Sequence, residues 1–365
     1  MTTATITFHA AHNYGSMLQA YALQHALMQI GVSNEIINLR TPRQREMYKP
    51  GRIGGNALKD NMRRALALPF MKRLKAKYAL FEQFLQNDLK MTHEFASIED
   101  IRNARLDYDC YISGGDQIWN TAPSDFDWSY YLPFVERGKR ISYAVSMGPK
   151  CNEQVIDRDT VRKHLLAYDH ISVRENATKR LVESLTGREV EITLDPVLLY
   201  SARQWKACYD QAPLIDGDYI LVYTPGFEKQ VFDTAMAVKR ITGLKAVNTI
   251  YRPKCLMYSG ITNKFDVGPW EFLNLLQHAR LIVSGSYHAV ILSILYNKKF
   301  VAVNGRQDNR MSTILQGTGL LHLSVSPSDD IKAVIDGTID FAHANDYINT
   351  ERAKSINFLK NALAD

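Results

Sequence analysis

His288 is the residue in this chain best placed for acid–base chemistry. It follows a strand-like apolar run at 281–283 and a small polar turn at 284–286, and an apolar helix-like segment begins directly after it. A helix start just past a parallel strand favours anions through its free backbone N–H groups, and a protonated imidazole adds to that field. We therefore predict that His288 acts beside an anion, with Ser286 and Tyr287 next to it. A structural histidine is the alternative.

A second cluster, SGGDQIWN, follows the apolar run 108–113. The two glycines allow a ligand to approach the backbone, and the carboxylate of Asp116 can orient or deprotonate a hydroxyl group. The amides of Gln117 and Asn120 suit sugar hydroxyls, and the indole of Trp119 offers a flat face to a sugar ring. A turn above a core tryptophan is the alternative.

Two arginines supply further cationic groups. Arg174 ends the strand-like segment HISVR, where a guanidinium can clamp a carboxylate or phosphate, although a surface pair with Glu175 fits as well. Arg310 follows a later strand and either contacts the same anion or lies on a helix surface. Both residues are candidate ligands of an anionic substrate.

The loop 9–16 connects the first predicted strand to the first predicted helix. It contains Asn13, Tyr14 and Gly15, and Gly15 is its expected flexible point. Such a loop can bring backbone N–H groups close to a phosphate or sugar. It lacks the G-x-G-x-x-G pattern of dinucleotide-binding folds, and an ordinary tight turn is the alternative.

Strands alternate with helices along the whole chain, which predicts doubly wound α/β sheets. The predicted strands are at 3–8, 34–39, 108–113, 140–146, 170–174, 189–194, 219–223, 245–249, 281–283 and 300–303. The predicted helices are at 17–30, 78–89, 175–185, 229–242, 270–278, 289–296, 311–316, 328–335 and 347–364.

Composition excludes several classes of protein. The chain has 365 residues, a 46% hydrophobic share and a 22% charged share, which is typical of a globular protein with two cores. Its apolar runs are too short for a membrane span and its first residues do not read as a signal peptide, so we expect a cytoplasmic protein. The four cysteines are widely scattered, which indicates free thiols and no structural metal.

The net charge of +6 is distributed unevenly. Between residues 40 and 78 there are twelve Lys and Arg residues but only Glu46 and Asp60 with the opposite charge, so the rest of the chain is net acidic. Such a basic lobe attracts anionic partners: a membrane surface, a diphosphate-linked substrate or nucleic acid. No nucleic-acid-binding motif accompanies it, and we predict no nucleic-acid partner. A solvated helical face is the alternative.

Seven windows in order resemble the polysaccharide pyruvyl transferase family. They are NYGSMLQAYALQHAL, YISGGDQIWN, ISYAVSMG, ISVREN, LDPVLL, SYHAVILSILYNKKFVAV and NRMSTIL. The resemblance implies a GT-B-like fold of two Rossmann-like domains facing across a cleft, with a basic helical insertion in the first domain. We assign 1–175 to the acceptor-side domain with the basic lobe at 40–90, 176–345 to the donor-side domain, and 346–365 to a C-terminal helix that returns to the first domain.

The resemblance also implies an activity. Members move the enolpyruvyl unit of phosphoenolpyruvate onto two sugar hydroxyls and form a cyclic pyruvate ketal, without cofactor or metal. His288 and Asp116 would be catalytic, with His288 assisting phosphate departure or protonating the enol carbon. The donor would bind Arg174, Ser286, Tyr287 and Arg310, and the acceptor would bind Asn13, Tyr14, Gly15, Gln117, Trp119 and Asn120.

The family pattern is not matched everywhere. Many members read Ser-Phe-His-Gly where this chain has Tyr287 and Ala289 around His288. The expected setting is cell-surface or exopolysaccharide synthesis, with a lipid-diphosphate-linked acceptor held at the inner membrane face by the basic lobe. Two alternatives stay open: a GT-B glycosyltransferase that uses a nucleotide sugar, and a non-catalytic glycan-binding or assembly protein.

Overall fold

Two parallel β-sheets organise the part of the chain that the computed structural model describes, namely residues 1–50, 65–149 and 157–364. The first sheet has seven strands: β1 (Thr2–Ile6), β2 (Ser33–Leu39), β3 (Met91–Phe95), β4 (Cys110–Gly114), β5 (Lys139–Val145), β6 (His170–Val173) and β7 (Glu191–Ile192). The second has six: β8 (Tyr219–Tyr223), β9 (Lys245–Asn248), β10 (Ile261–Asn263), β11 (Leu281–Ser284), β12 (Phe300–Val303) and β13 (Ser324–Val325). The predicted two-sheet α/β fold is confirmed.

Helices connect successive strands in both halves. In the described residues they are α1 (Tyr14–Gln29), α2 (Pro42–Tyr48), α3 (Met71–Asp88), α4 (Ile98–Asn103), α5 (Arg158–Leu165), α6 (Asn176–Thr186), α7 (Ala202–Lys206), α8 (Lys229–Thr242), α9 (Pro269–His278), α10 (Tyr287–Leu295), α11 (Asn309–Gly317), α12 (Ile331–Asp336) and α13 (Phe341–Ala364). No helix in the described ranges is both long enough and apolar enough to cross a bilayer.

The strand order determines where a ligand can bind. The first sheet runs β3-β2-β1-β4-β5-β6-β7 and the second β10-β9-β8-β11-β12-β13, and every pairing is parallel. The order therefore reverses between β1 and β4 in one sheet and between β8 and β11 in the other. Ligands of open α/β sheets bind at such switch points, outside the carboxyl ends of the strands.

The first helix begins earlier than the sequence predicts. Asn13 caps α1 by accepting a hydrogen bond from the Gly15 N–H (3.0 Å), so Tyr14 and Gly15 belong to the first helical turn. The prediction that Gly15 is the flexible point of a loop is wrong, because the side-chain cap of Asn13 starts the helix before the apolar repeat becomes visible.

Three edge strands, β3, β10 and β13, were not predicted. An edge strand pairs on one side only, so its sequence lacks a strong apolar pattern; the threonine, histidine and glutamate of β3 are partly or fully exposed. The predicted strand at 189–194 is reduced to the two residues of β7, which is the opposite edge of the same sheet.

Two helices join the halves of the molecule. The last turns of α13 pack on the first sheet, where Leu359 and Ala362 share a core with Tyr143. The lobe helix α3 reaches the second half, because Leu74 packs with Tyr251 and Phe265. The central part of the basic lobe, including Arg52, Lys59, Arg63 and Arg64, lies outside the described residues, as does Cys151. The predicted domain boundaries stay predictions.

Candidate active site at the facing switch points

A cavity of about 230 Å³ lies where the two switch points face each other. Loops after β1 and β4 form one side, and loops after β8, β11 and β12 form the other. Its lining residues are Phe8, Ala11, Asn13, Ser16, Tyr48, Asp116, Gln117, Asp125, Pro225, Gly226, Glu228, Gly285, Ser286, Tyr287, His288 and Arg310. Seven of the predicted site residues are among them: Asn13, Asp116, Gln117, Ser286, Tyr287, His288 and Arg310.

His288 lies in the first turn of α10, where Ser286 is the residue that precedes the helix. The turn is held in place because Ser284 Oγ accepts from the Ser286 N–H at 3.0 Å and donates to the Tyr223 carbonyl at 2.6 Å. The His288 side chain is 8% exposed, and its Nε2 is 3.4 Å from Asp195 Oδ2. The imidazole therefore has a buried carboxylate behind it and the cavity in front.

Asp195 connects His288 to Arg174. The Arg174 Nη1 donates to Asp195 Oδ2 at 2.5 Å, and all three side chains are buried. Burial disfavours the charged form of Asp195, but the charges of His288 and Arg174 outweigh burial and lower the pKa of this carboxyl. The pKa of Arg174 is raised, since its carboxylate neighbours outweigh the effect of burial. The buried pair with Arg174 fixes the position of Asp195 behind the imidazole of His288.

Asp116 is aimed into the cavity by an unusual backbone. Gly115 and Asp116 both have positive φ, 62° and 56°, directly after β4. The Asp116 carboxylate accepts from Ser16 Oγ at 2.6 Å and from the Gln117 N–H at 2.8 Å, and it lies 3.9 Å from Arg174 Nη2. These contacts fix the Asp116 carboxylate in the wall of the cavity.

Arg310 supplies a positive charge on one side of the cavity, next to the ring of Tyr287. Arg310 pairs with Asp308, Nη2 to Oδ2 at 2.5 Å, and the ring of Tyr287 lies between Arg310 and Arg174, 5.8 Å and 4.4 Å from their guanidinium carbons. The first turn of α10 adds backbone N–H groups that no helical carbonyl accepts. An anion with several oxygens fits this side.

The opposite side of the cavity is acidic. Tyr48 donates to Asp125 Oδ2 at 3.2 Å, and both residues line the cavity. Burial raises the pKa of Asp125. Glu228 belongs instead to the second-sheet side: it accepts a hydrogen bond from Thr224 and lies against Gly285, where a Cβ atom would be 2.7 Å from its Oε2. On the first-sheet side, Asp125 stands with the amides of Asn13 and Gln117. Carboxylates and amides at this side are suited to binding hydroxyl groups.

Some predicted site residues do not reach the cavity. Trp119 is fully buried and stacks on Tyr131 with ring centroids 5.2 Å apart, so its indole is not available to a sugar. Tyr14 stacks on Phe272 and donates to the Val267 carbonyl at 3.1 Å. These two side chains are core, and their predicted contacts with an acceptor are wrong for this arrangement.

Three more predicted residues lie beside the cavity rather than in its wall. Asn120 donates to the side chain of Gln117 at 3.3 Å and so orients a lining residue. Gly15 faces the imidazole of His288, and Arg174 is behind Tyr287 and Asp116. Each of them acts on the cavity through a neighbour.

Sequence reasoning missed five residues of the site: Ser16, Tyr48, Asp125, Asp195 and Glu228. Two of them could have been found from the sequence, because Ser16 and Asp195 lie inside windows that carry the family resemblance. The other three come from segments without a motif. They reach the cavity only because distant loops meet there.

Comparisons with known proteins identify the family of the chain and relatives of its fold. The model of a family described as polysaccharide pyruvyl transferase matches residues 13–306. No curated protein matches the chain. UDP-N-acetylglucosamine 2-epimerase from Rickettsia bellii superposes with a TM-score of 0.55 at 10% identity, covering 100% of this chain and 96% of that one. UDP-GlcNAc 2-epimerase from Neisseria meningitidis, bound to UDP-GlcNAc, gives 0.53 at 10% identity and covers 100% of both chains. At this identity the likeness concerns the fold, which is GT-B-like as predicted.

Proposed function

Because the chain belongs to the polysaccharide pyruvyl transferase family, we propose that it transfers the enolpyruvyl unit of phosphoenolpyruvate to two hydroxyl groups of a sugar. The observation that carries the proposal is the placement of His288 and Asp116 on opposite sheets around one cavity. One side of that cavity offers cations and helix N–H groups, and the other offers carboxylates and amides. A donor with a carboxylate and a phosphate needs the first side, and a polyhydroxyl acceptor needs the second.

The proposed reaction balances without an oxidant or reductant. One sugar hydroxyl adds to C2 of phosphoenolpyruvate while C3 gains a proton and becomes a methyl group. The second hydroxyl then bonds to C2, the C2–O bond to phosphate breaks, and phosphate leaves with the electron pair. The two hydroxyl protons end on C3 and on phosphate.

Asp116 is the proposed base for the acceptor hydroxyl. Its carboxylate is fixed by Ser16 and Gln117 and faces the cavity. His288, backed by Asp195, is the proposed proton carrier, which either protonates C3 or assists the departing phosphate. Asn13 and Gln117 are the proposed acceptor ligands, while Arg310 and the first turn of α10 are the proposed donor ligands.

The decisive experiment supplies phosphoenolpyruvate with candidate glycans, and sugar nucleotides in parallel. We expect phosphate release that depends on both substrates, with the mass increase of a pyruvate ketal on the glycan. His288→Ala and Asp116→Asn should each lower turnover by about 100-fold or more. The control is His322→Ala, which changes an exposed histidine outside the lining of the cavity and should leave turnover unchanged. Nucleotide release from a sugar nucleotide would favour the glycosyltransferase alternative, and binding of glycans without any turnover would favour the assembly role.

We further propose that the reaction needs no cofactor and no metal. The substrates exchange bonds and protons only, and the charge of the leaving phosphate is met by Arg310, the α10 N-terminus and His288. Turnover should therefore persist after exhaustive treatment with a chelator. Activity that returns only on adding a divalent ion would contradict this part of the proposal.

The basic lobe is the proposed contact with the inner face of the membrane. Its described part carries exposed Leu66 and Leu68 (46% and 66%) next to Lys72 and Lys75, which are exposed on α3. Apolar side chains beside cations are typical of peripheral binding to anionic lipids. The arginines at 52, 63 and 64 lie outside the described residues.

Cosedimentation with vesicles containing anionic lipid tests this contact. The double variant Lys72→Glu, Lys75→Glu should lose most vesicle binding, whereas Arg162→Glu, Lys163→Glu on α5 makes the same charge change at another surface. Equal losses in both variants would show that only net charge matters. No loss in either variant would show that the lobe does not contribute to membrane binding.

A further inference from the structure

Two cations from different halves of the molecule meet at the loop that follows β9. Lys77 on the lobe helix α3 donates from Nζ to the carbonyl of Thr249 at 3.1 Å. Arg252, in the loop itself, donates from Nη1 to the carbonyl of Tyr251 at 3.1 Å. Both side chains are half-buried, and they bind carbonyls only two residues apart. Two positive charges are thus held close together beside the cleft.

No carboxylate contacts either cation within the described parts of the chain. Lys77 instead lies over the rings of Tyr14 and Phe81, at 4.6 Å and 5.7 Å from their centroids. Burial and the charge of Arg252 lower the pKa of Lys77 to about 7. Partly buried like charges without a counter-charge are unfavourable, and a bound anion would relieve both the repulsion and the desolvation.

The same loop presents polar groups that lack partners. Thr249 is fully buried and Tyr251 is nearly so, yet neither hydroxyl makes a hydrogen bond to any residue that the structure describes. Buried hydroxyl groups are normally satisfied, so two unsatisfied ones in the four-residue loop that also carries Arg252 are unusual. They can donate to the oxygens of an anion that the cations attract.

The position of this loop relates it to the cavity. In the second sheet β9 is separated from β11 by β8, and neighbouring strands lie about 4.8 Å apart, so the Thr249 loop is roughly 10 Å from the loop that carries His288. Tyr223, at the end of β8 between these two loops, donates to Asn13 Oδ1 at 3.5 Å, and Asn13 lines the cavity. A sugar with a phosphate ester is about as long as this separation.

We propose that Lys77 and Arg252, with the hydroxyls of Thr249 and Tyr251, form a second anion subsite that binds the phosphate or diphosphate group of a phosphorylated sugar acceptor. The acceptor ring then lies in the cavity between Asp116 and His288. The identity of the ligand as an acceptor rests on the proposed function. The anion subsite itself does not.

Calorimetric titration with pyrophosphate tests the subsite directly. The full chain carrying His288→Ala is the starting protein, so that binding at the proposed donor site is weakened. Adding Lys77→Met or Arg252→Met should weaken pyrophosphate binding at least tenfold, whereas Lys75→Met, on an exposed face of the same helix, should not. Lys77→Arg keeps the charge and should retain most of the affinity, which separates charge from folding. Equal affinity in all variants would overturn the subsite.

Two further measurements are needed. The first distinguishes a nucleotide from a lipid as the source of the phosphate, and the second distinguishes the subsite proposal from the proposed function. Competition by UDP or by a prenyl diphosphate in vesicles shows whether a nucleotide or a lipid ester is preferred, and competition by neither would overturn the acceptor assignment. In the wild type, Lys77→Met should raise the KM for the phosphorylated acceptor without changing the KM for phosphoenolpyruvate. Lys77-dependent pyrophosphate binding in a protein that never turns over phosphoenolpyruvate would overturn the proposed function and leave the subsite standing.

Discussion

Gly15 packs directly against the imidazole ring of His288: a Cβ atom at position 15 would overlap the Cγ, Nδ1 and Cβ atoms of the histidine. The first turn of α1, from the first sheet, thereby closes on the first turn of α10, from the second. The backbone of Gly15 is helical, so loop flexibility does not explain a glycine here. The lack of space for a side chain beside His288 does. The two switch points are thus in direct contact at the proposed catalytic group.

Gly15→Ala should therefore abolish most activity while the chain still folds. Alanine is favourable in a helix, but its methyl group must displace His288 or move α1 away. We expect phosphate release to fall by about 100-fold or more, with a modest change in melting temperature. Gly226→Ala is the control, since a Cβ there would meet no atom within 4 Å although Gly226 lines the same cavity. Similar losses in both variants would mean that any methyl group in the cavity blocks turnover.

Asp195→Asn should destabilise the protein as well as impair it. The change leaves the buried guanidinium of Arg174 without its closest carboxylate, and breaking a buried pair in this way costs about 3–5 kcal/mol of unfolding free energy. Urea unfolding at pH 7 measures the loss. Asp336→Asn, which removes an exposed i,i+4 pair with Lys332, should cost less than about 1 kcal/mol. Equal stability of Asp195→Asn and wild type would show that Arg174 finds another partner.

Glu82 provides a pH-dependent part of the stability. It joins Arg40 of the first sheet region to His12 in the loop before α1, with contacts of 2.7 Å and 2.9 Å. Burial opposes ionisation of Glu82, but the hydrogen bonds and charges of His12 and Arg40 outweigh it and lower its pKa to about 2. Because the folded-state pKa lies below the unfolded value of about 4.3, the stabilisation is fully present above that value. It is lost as the pH falls towards 2.

Glu82→Gln should accordingly cost roughly 3 kcal/mol at pH 7. The difference from the wild type should shrink as the pH falls from about 4.5 to 2, because both proteins then carry a neutral side chain at position 82. Denaturant unfolding at a series of pH values measures it, with Glu99→Gln, at an exposed glutamate, as control. A difference that does not change over this range would exclude the linkage.

Tyr48 and Asp125, rather than Trp119, should determine acceptor binding. Tyr48→Phe removes the donor that holds Asp125 in place without changing the shape of the cavity, so the KM for the acceptor should rise by about tenfold. The KM for phosphoenolpyruvate should not change. A rise in the phosphoenolpyruvate KM instead would place the acidic side of the cavity at the donor.

Much of the fold could be predicted from local pattern. The apolar runs before Asp116 and His288 are short, bounded by glycine turns and followed by helices, and such patterns depend only on neighbours in the chain. The edge strands were missed because one-sided pairing needs little apolar sequence. Trp119 was misplaced for a related reason: an aromatic residue after a turn fits a sugar platform and a core position equally well, and burial on Tyr131 is a tertiary contact.

The sequence by itself determined the alternation of strands and helices, and it determined that Asp116 and His288 each follow the carboxyl end of a strand. It determined this because strand, turn and helix signals are local. The strand order decided which of these ends are neighbours, and the packing of the two sheets decided that His288 faces Asp116. Tyr48 and Asp125 are 77 residues apart in the chain, and Lys77 and Thr249 are 172 apart. No local pattern encodes such pairs, because their contact energy is gained only after both sheets have formed and met.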